Sequence, residues 1–164
     1  MSLAIEQEEN KKDFNLTASQ EDYLKAIYTL ISHKKEARVT DIAEYLNVSK
    51  ASVNRALKLL KELGLVNYET YGEIKLTDQG KDEATNIIKK HNVLKAFLIQ
   101  ILDVDNDTAE EEAKKMKHAI SEDTVNKFSN YIKSIIKVDE LKCNYNPENE
   151  RCSNCIRIKK KNEL

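Results

Sequence analysis

Two groups of residues in this chain carry chemistry. The first is the run Ser49, Lys50, Ser52, Asn54 and Arg55, with Lys58 following it. An arginine can donate two parallel hydrogen bonds to guanine, an asparagine can pair with adenine, and serine and lysine can hold phosphate oxygens beside a helix N-terminus. From Ser49 to Lys61 the charged residues are Lys50, Arg55, Lys58 and Lys61, with no acid among them, which suits a phosphate backbone. The second group is Cys143, Cys152 and Cys155, whose Cys-x8-Cys-x2-Cys spacing lets a loop fold thiolates around a soft metal. Zinc would need a fourth ligand, and three cysteines with an outside ligand also suit an iron–sulfur cluster. Spacing leaves both open beside plain free thiols.

The first group needs a helix that presents it. Ser49 is a natural N-cap, and Lys50 to Leu63 carries Val53, Ala56, Leu57, Leu60 and Leu63 on one face, with Ser52, Arg55, Lys58 and Glu62 on the other. Gly64 supplies a left-handed end. Before this helix a short one opens at Thr40 as N-cap and runs through Asp41 to Leu46, and Asn47-Val48 makes a tight turn. After it, Leu65 to Thr70 alternates like a strand, Tyr71-Gly72 turns, and Glu73 to Leu76 alternates back. Short helix, tight turn, second helix with a polar face, then hairpin: this order predicts a winged helix-turn-helix, with Lys75 on the wing placed to hold the DNA backbone.

The remaining elements are helical. Tyr23, Leu24, Ile27, Leu30 and Ile31 recur at helical spacing from Ser19 to about His33, with Thr17 and Gln20 in capping-box positions. Thr77-Asp78 caps a long helix through Ile101, Thr108-x-x-Glu111 opens a helix expected to carry Met116 and His118, and Ser121 caps a last one with the stripe Val125, Phe128, Ile132 and Ile135. A single proline and three glycines agree with a mainly α fold of few turns.

Composition bounds the function. At 164 residues the chain accommodates one DNA-binding domain and a helical annex. With 27 basic and 28 acidic residues the net charge is −1, so affinity for DNA must come from a local patch. Apolar runs are far too short to span a membrane, and the charged start has no signal-peptide core, so a cytoplasmic protein with reduced cysteines is expected. Nothing supplies a nucleophile motif, a phosphate loop or a paired-histidine zinc signature, which argues against an enzyme. The rivals are a winged-helix protein-interaction module, and a redox-responsive or small-molecule-responsive winged-helix regulator.

The segments Glu21-Asp22-Tyr23-Leu24, Arg38-Val39-Thr40-Asp41-Ile42-Ala43, Leu76-Thr77-x-x-Gly80 and Lys90-His91 resemble the metal-dependent repressors of the diphtheria-toxin-repressor type, in particular the short manganese-regulator branch. The resemblance runs from about Leu16 to Ile136. It implies a homodimer on double-stranded DNA and a divalent manganese or iron ion that sets the spacing of the two recognition helices. It divides the chain into a polar arm (1–16), a winged helix-turn-helix (17–80), a helical dimerisation and metal-sensing unit (81–138) and a Cys-containing basic tail (139–164). It also implies metal ligands at Asp22, His91 and His118. At the three other ligand positions this chain has Lys25, Lys114 and Lys117. A lysine ammonium has three donors and no lone pair, so it repels an ion and can instead stand where the ion would be, paired with Asp22. A residual site from His91, Asp22 and one of Glu110 to Glu112 is the alternative.

Overall fold

The computed structural model describes residues 14–69 and 72–135. The first helix, α1 (Ala18–Lys34), starts as its capping residues dictate: the Gln20 N–H donates to Thr17 Oγ1 at 3.3 Å and the Thr17 N–H to Gln20 Oε1 at 2.9 Å. Its apolar stripe buries Tyr23, Leu24, Ala26, Ile27 and Leu30. Phe14 and Leu16, at the end of the polar arm, pack against the same core.

α2 (Val39–Leu46) begins earlier than its expected cap at Thr40. Arg38 is the N-cap, and Asp41 accepts from the Arg38 N–H at 3.1 Å, so the carboxylate one turn inside satisfies the orphan donor and Thr40 is helical. Asn47, left-handed at φ 53°, ends α2 and leads through Val48 to α3 (Lys50–Glu62), capped by Ser49 as expected. α3 buries Val53, Ala56, Leu57 and Leu60. Leu63 leaves the helix and is exposed.

Gly64, at φ 76°, turns the chain into β1 (Val66–Asn67), which pairs antiparallel with β2 (Lys75–Leu76), Val66 opposite Leu76. The ladder is shorter than the alternation predicts. Among the described residues of the hairpin Leu65, Val66, Ile74 and Leu76 are buried and Tyr68 is partly so, and a two-stranded hairpin without further backing does not extend its pairing. Tyr71 of the expected turn lies outside the described residues.

α4 (Asp78–Gln100) joins two cores. Thr77 caps it, and its hydroxyl also donates to the Gly64 carbonyl at 2.7 Å. A Cβ at Gly80 would lie 1.9 Å from the Leu65 carbonyl oxygen, so only glycine allows α4 this close to β1. Ala84 and Ile87 complete the first core, while Leu94 and Leu98 form a second with Ala109 and Ala113 of α5 (Asn106–Met116). α6 (Glu122–Ile135) buries Val125 and adds Phe128 to this second core, its ring 4.5 Å from that of Phe97. Ile135, expected in the apolar stripe of α6, faces outward.

The cap of α5 also differs from expectation. Asp105, not Thr108, is the N-cap; it accepts from the Thr108 N–H at 2.9 Å, and the Thr108 contacts hold its carboxyl below the usual range. The helix stops at Met116, which puts Lys117 at the C-cap and His118 in the following turn rather than inside the helix. Among the described residues no helix is long and apolar enough to cross a membrane.

Candidate nucleic-acid interface and the ion cluster behind it

Because α3 buries one stripe, its opposite face is delivered to solvent. Ser49, Lys50, Asn54, Arg55 and Lys58 are exposed there, and Ser52 is half-buried. Short contacts order this face. The Ser52 N–H donates to Ser49 Oγ at 3.1 Å, the two hydroxyls lie 2.9 Å apart, and Arg55 Nη2 donates to Ser52 Oγ at 3.4 Å. The wing is tied to α3 as well: Lys61 Nζ donates to the Tyr68 carbonyl at 2.8 Å, and Tyr68 Oη donates to Asn54 Oδ1 at 3.0 Å. Lys61 is thus engaged with the wing. On β2, Lys75 Nζ lies 2.9 Å from Glu73 Oε2, and that carboxylate holds the Lys75 pKa above its ordinary value. A helix N-terminus and a forked cation on an exposed helix face, followed by a hairpin carrying a further lysine, are the element order of a winged helix-turn-helix.

Behind this domain, α1, α4 and α5 meet in a cluster of charges. Lys117, with its side chain only 3% exposed, places Nζ 3.5 Å from Glu21 Oε2 and 3.5 Å from Asp22 Oδ1. His118 Nδ1 lies 3.1 Å from the same Glu21 oxygen. That oxygen is buried and has no aligned hydrogen-bond donor among the described residues, so Lys117 acts on it as a charge. On the α4 side His91 is buried, with Nε2 3.2 Å from Glu110 Oε2 and Nδ1 without a hydrogen-bond partner among the described residues. Lys95 Nζ is 2.8 Å from Glu110 Oε2, and Lys114 Nζ is 3.7 Å from Glu110 Oε1.

These contacts set the protonation behaviour. Burial pushes the Lys25 pKa down, helped by the Lys117 charge and opposed by Glu110 and Asp22. Burial also pushes His91 below its ordinary value, with Lys25 adding to it and Glu110 opposing. For Glu110 burial acts upward, yet the hydrogen bond from Lys95 and the positive neighbours outweigh it and bring the carboxyl to about 2.

The cluster does not fit a divalent ion. Among the described residues no group of three or more His, Cys, Asp or Glu side chains is placed to hold one. Asp22, His91 and His118 are not gathered on a common point: Asp22 faces Lys117, His91 faces Glu110, and His118 faces Glu21. Lys117 and Lys114 bring ammonium groups into this cluster, which have donors and no lone pairs to offer an ion. Cys143, Cys152 and Cys155 lie outside the described residues.

Sequence reasoning passed over two participants, Glu21 beside Asp22 and Lys95 one helical turn after His91. Glu110 enters it only as one of three candidate carboxylates, and the i, i+4 rule pairs it with Lys114 but not with Lys95 on the neighbouring helix. Tyr68 gives no such signal, since its contact to Asn54 depends on how the hairpin folds back.

Comparison with known proteins identifies both halves. Residues 15–74 match the iron dependent repressor N-terminal DNA binding domain, and residues 77–137 match the iron dependent repressor metal binding and dimerisation domain. An uncharacterized HTH-type transcriptional regulator of Methanocaldococcus jannaschii is 40% identical over 114 residues, covering 69% of this chain and 91% of the relative. The HTH-type transcriptional regulator MntR of Bacillus subtilis is 32% identical over 126 residues, covering 77% and 88%. Among solved structures, the manganese regulator SloR aligns with a TM-score of 0.62 at 30% identity, over 71% of this chain and 54% of that one, so this chain spans about half its length. A hypothetical protein of Sulfolobus solfataricus aligns with a TM-score of 0.60 at 28% identity, over 73% and 91%. This chain belongs to the iron-dependent repressor family of metal-dependent transcriptional regulators, in its short form of a winged helix-turn-helix followed by a helical dimerisation domain, and is not an enzyme.

Proposed function

We propose that this chain acts in the cytoplasm as a homodimeric, sequence-specific transcriptional regulator whose family metal position is taken by the ammonium of Lys117. Residues 17–80 place α3 in the major groove, with Arg55 as base reader, Ser49, Lys50 and Lys58 on the backbone, and Lys75 following on the wing. Residues 81–138 pair the two copies.

The observation that carries this reading is the position of Lys117: at the end of α5, almost fully buried, 3.5 Å from both Glu21 and Asp22 of α1. A metal that fixes the spacing of recognition helices does so by tying the DNA-binding domain to the dimerisation domain. A covalently attached cation between the same helices supports the DNA-binding arrangement at all times, with no ion required. Glu110 already faces the ammonium groups of Lys95 and Lys114, whose charges oppose an incoming divalent ion at a residual site with His91 and Asp22. The test is DNA binding by chelator-treated protein, titrated with manganese(II) and iron(II). Unchanged affinity supports the reading, and binding that appears only with metal refutes it.

A further inference from the structure

We propose that Tyr68 determines what Asn54 recognises on DNA, making Asn54 a hydrogen-bond donor rather than a reader of adenine. The proposal rests on the DNA-binding reading above and deepens it. An asparagine reads adenine by presenting its amide oxygen and amide N–H together, the oxygen to N6 and the N–H to N7. Here that oxygen is engaged inside the protein: Tyr68 Oη donates to Asn54 Oδ1 at 3.0 Å.

In a planar amide, an oxygen turned toward the wing turns the NH2 group away from it. Asn54 is exposed on α3, so what it offers to a groove is N–H. Tyr68 is not free to drift. Its ring is half-buried against the first core, and its carbonyl accepts from Lys61 Nζ at 2.8 Å, which ties this part of the wing to the recognition helix. Arg55, one residue on, has a different restraint through Ser52, so the two neighbours are oriented independently.

The partner of Asn54 is therefore an acceptor, namely a purine N7, guanine O6, thymine O4 or a phosphate oxygen, and the N6 amino group that distinguishes adenine is not read. Tyr68 is a positioning residue, and it links the wing to base preference without touching DNA itself.

The experiment selects duplexes from a randomised library with the full-length protein, sequences them, and measures affinity for the selected site at one salt concentration. In the wild type, no adenine requirement depends on Asn54. Tyr68→Phe keeps the ring and removes the donor; it lowers affinity for the wild-type site about fivefold, the worth of one net hydrogen bond, and shifts one position of the selected site toward adenine. Asn54→Asp preserves the acceptor for Tyr68 but has no N–H to give, and loses about tenfold or more on every sequence. Asn54→Ala separates the sources: a uniform loss across sequences assigns a phosphate, and a preference erased at a guanine, a thymine or a position taking either purine assigns a base. A wild-type requirement for adenine that disappears in Asn54→Ala overturns the proposal, as does a Tyr68→Phe protein with wild-type profile and affinity. A wild type that enriches no duplex removes the DNA-binding reading itself and this proposal with it.

Discussion

Replacing Lys117 by methionine probes the ammonium that joins α1 to the end of α5. The Lys117 side chain is 3% exposed, and its Nζ lies 3.5 Å from Glu21 Oε2 and 3.5 Å from Asp22 Oδ1. At an effective dielectric constant of about 20, one such pair attracts by about 5 kcal/mol before desolvation is counted. Asp22 is 60% exposed and water screens it, so the energy concentrates on Glu21, which is 17% exposed. Methionine fills similar volume and leaves that carboxylate without its cation. Breaking a buried pair in this way costs about 3–5 kcal/mol. Glu21 retains His118, which sets the expectation at the lower end, about 3 kcal/mol, a fall of roughly 6–12 °C in Tm for a protein of this size. Thermal unfolding followed by circular dichroism measures it. The double variant Lys117→Met, Glu21→Gln should recover at least half of the loss, because a neutral amide does not need the cation. A Lys117→Met protein as stable as the parent, or a double variant whose losses simply add, would refute the electrostatic reasoning.

Four further outcomes are expected. Arg55→Ala should weaken binding to the selected operator by about 1–3 kcal/mol and relax one base preference, read by fluorescence anisotropy across single-base variants. Gly80→Ala should cost about 3 kcal/mol in denaturant unfolding, since its Cβ would meet the Leu65 carbonyl at 1.9 Å and the helix must move away from β1. Stability should fall in acid: Glu110, at about 2 in the fold against 4.5 ordinarily, contributes stability that is complete above 4.5 and is lost as pH drops toward 2. His91, held below 6.5 by burial, adds in the same direction because the unfolded chain takes up its proton first; Glu110→Gln should flatten the lower part of the profile. Replacing Lys25, Lys114 and Lys117 together by glutamate should create manganese(II)-dependent DNA binding, measured as the ratio of affinities with metal and with chelator.

The DNA-binding half was legible because its signals are local. Ser49 caps α3, Gly64 ends it, and Thr77 caps α4, each through contacts within a few residues. Where two capping candidates stood close together, the chain used the acidic one: Asp41 serves the start of α2 and Asp105 that of α5, while Thr40 and Thr108 became helical. A carboxylate competes better than a hydroxyl for orphan N–H groups at the positive end of a helix. The length of the wing strands was not readable, since alternation records which residues face the core and not whether a third strand is there to extend the ladder.

The ion cluster was half legible. The three lysines raised the expectation of an altered metal position, because their charge is inherent to the residue. Their partners required the packing of α1 against α4 and the early end of α5 at Met116, which together bring Lys117 and His118 onto Glu21. No periodicity along one helix encodes a distance between two. The same holds for Tyr68 and Asn54, separated along the chain by all of the α3–β1 connection and joined at 3.0 Å.

The proposed role of Lys117, doing permanently what a bound ion does for the family, is read most directly from the affinity of extensively chelated, metal-free protein for its selected operator, measured with chelator and then with saturating manganese(II) or iron(II). One dissociation constant is expected under all three conditions, with a Lys117→Met variant that binds weakly in each. Operator binding that is absent with chelator and restored by metal in the wild-type protein would contradict it.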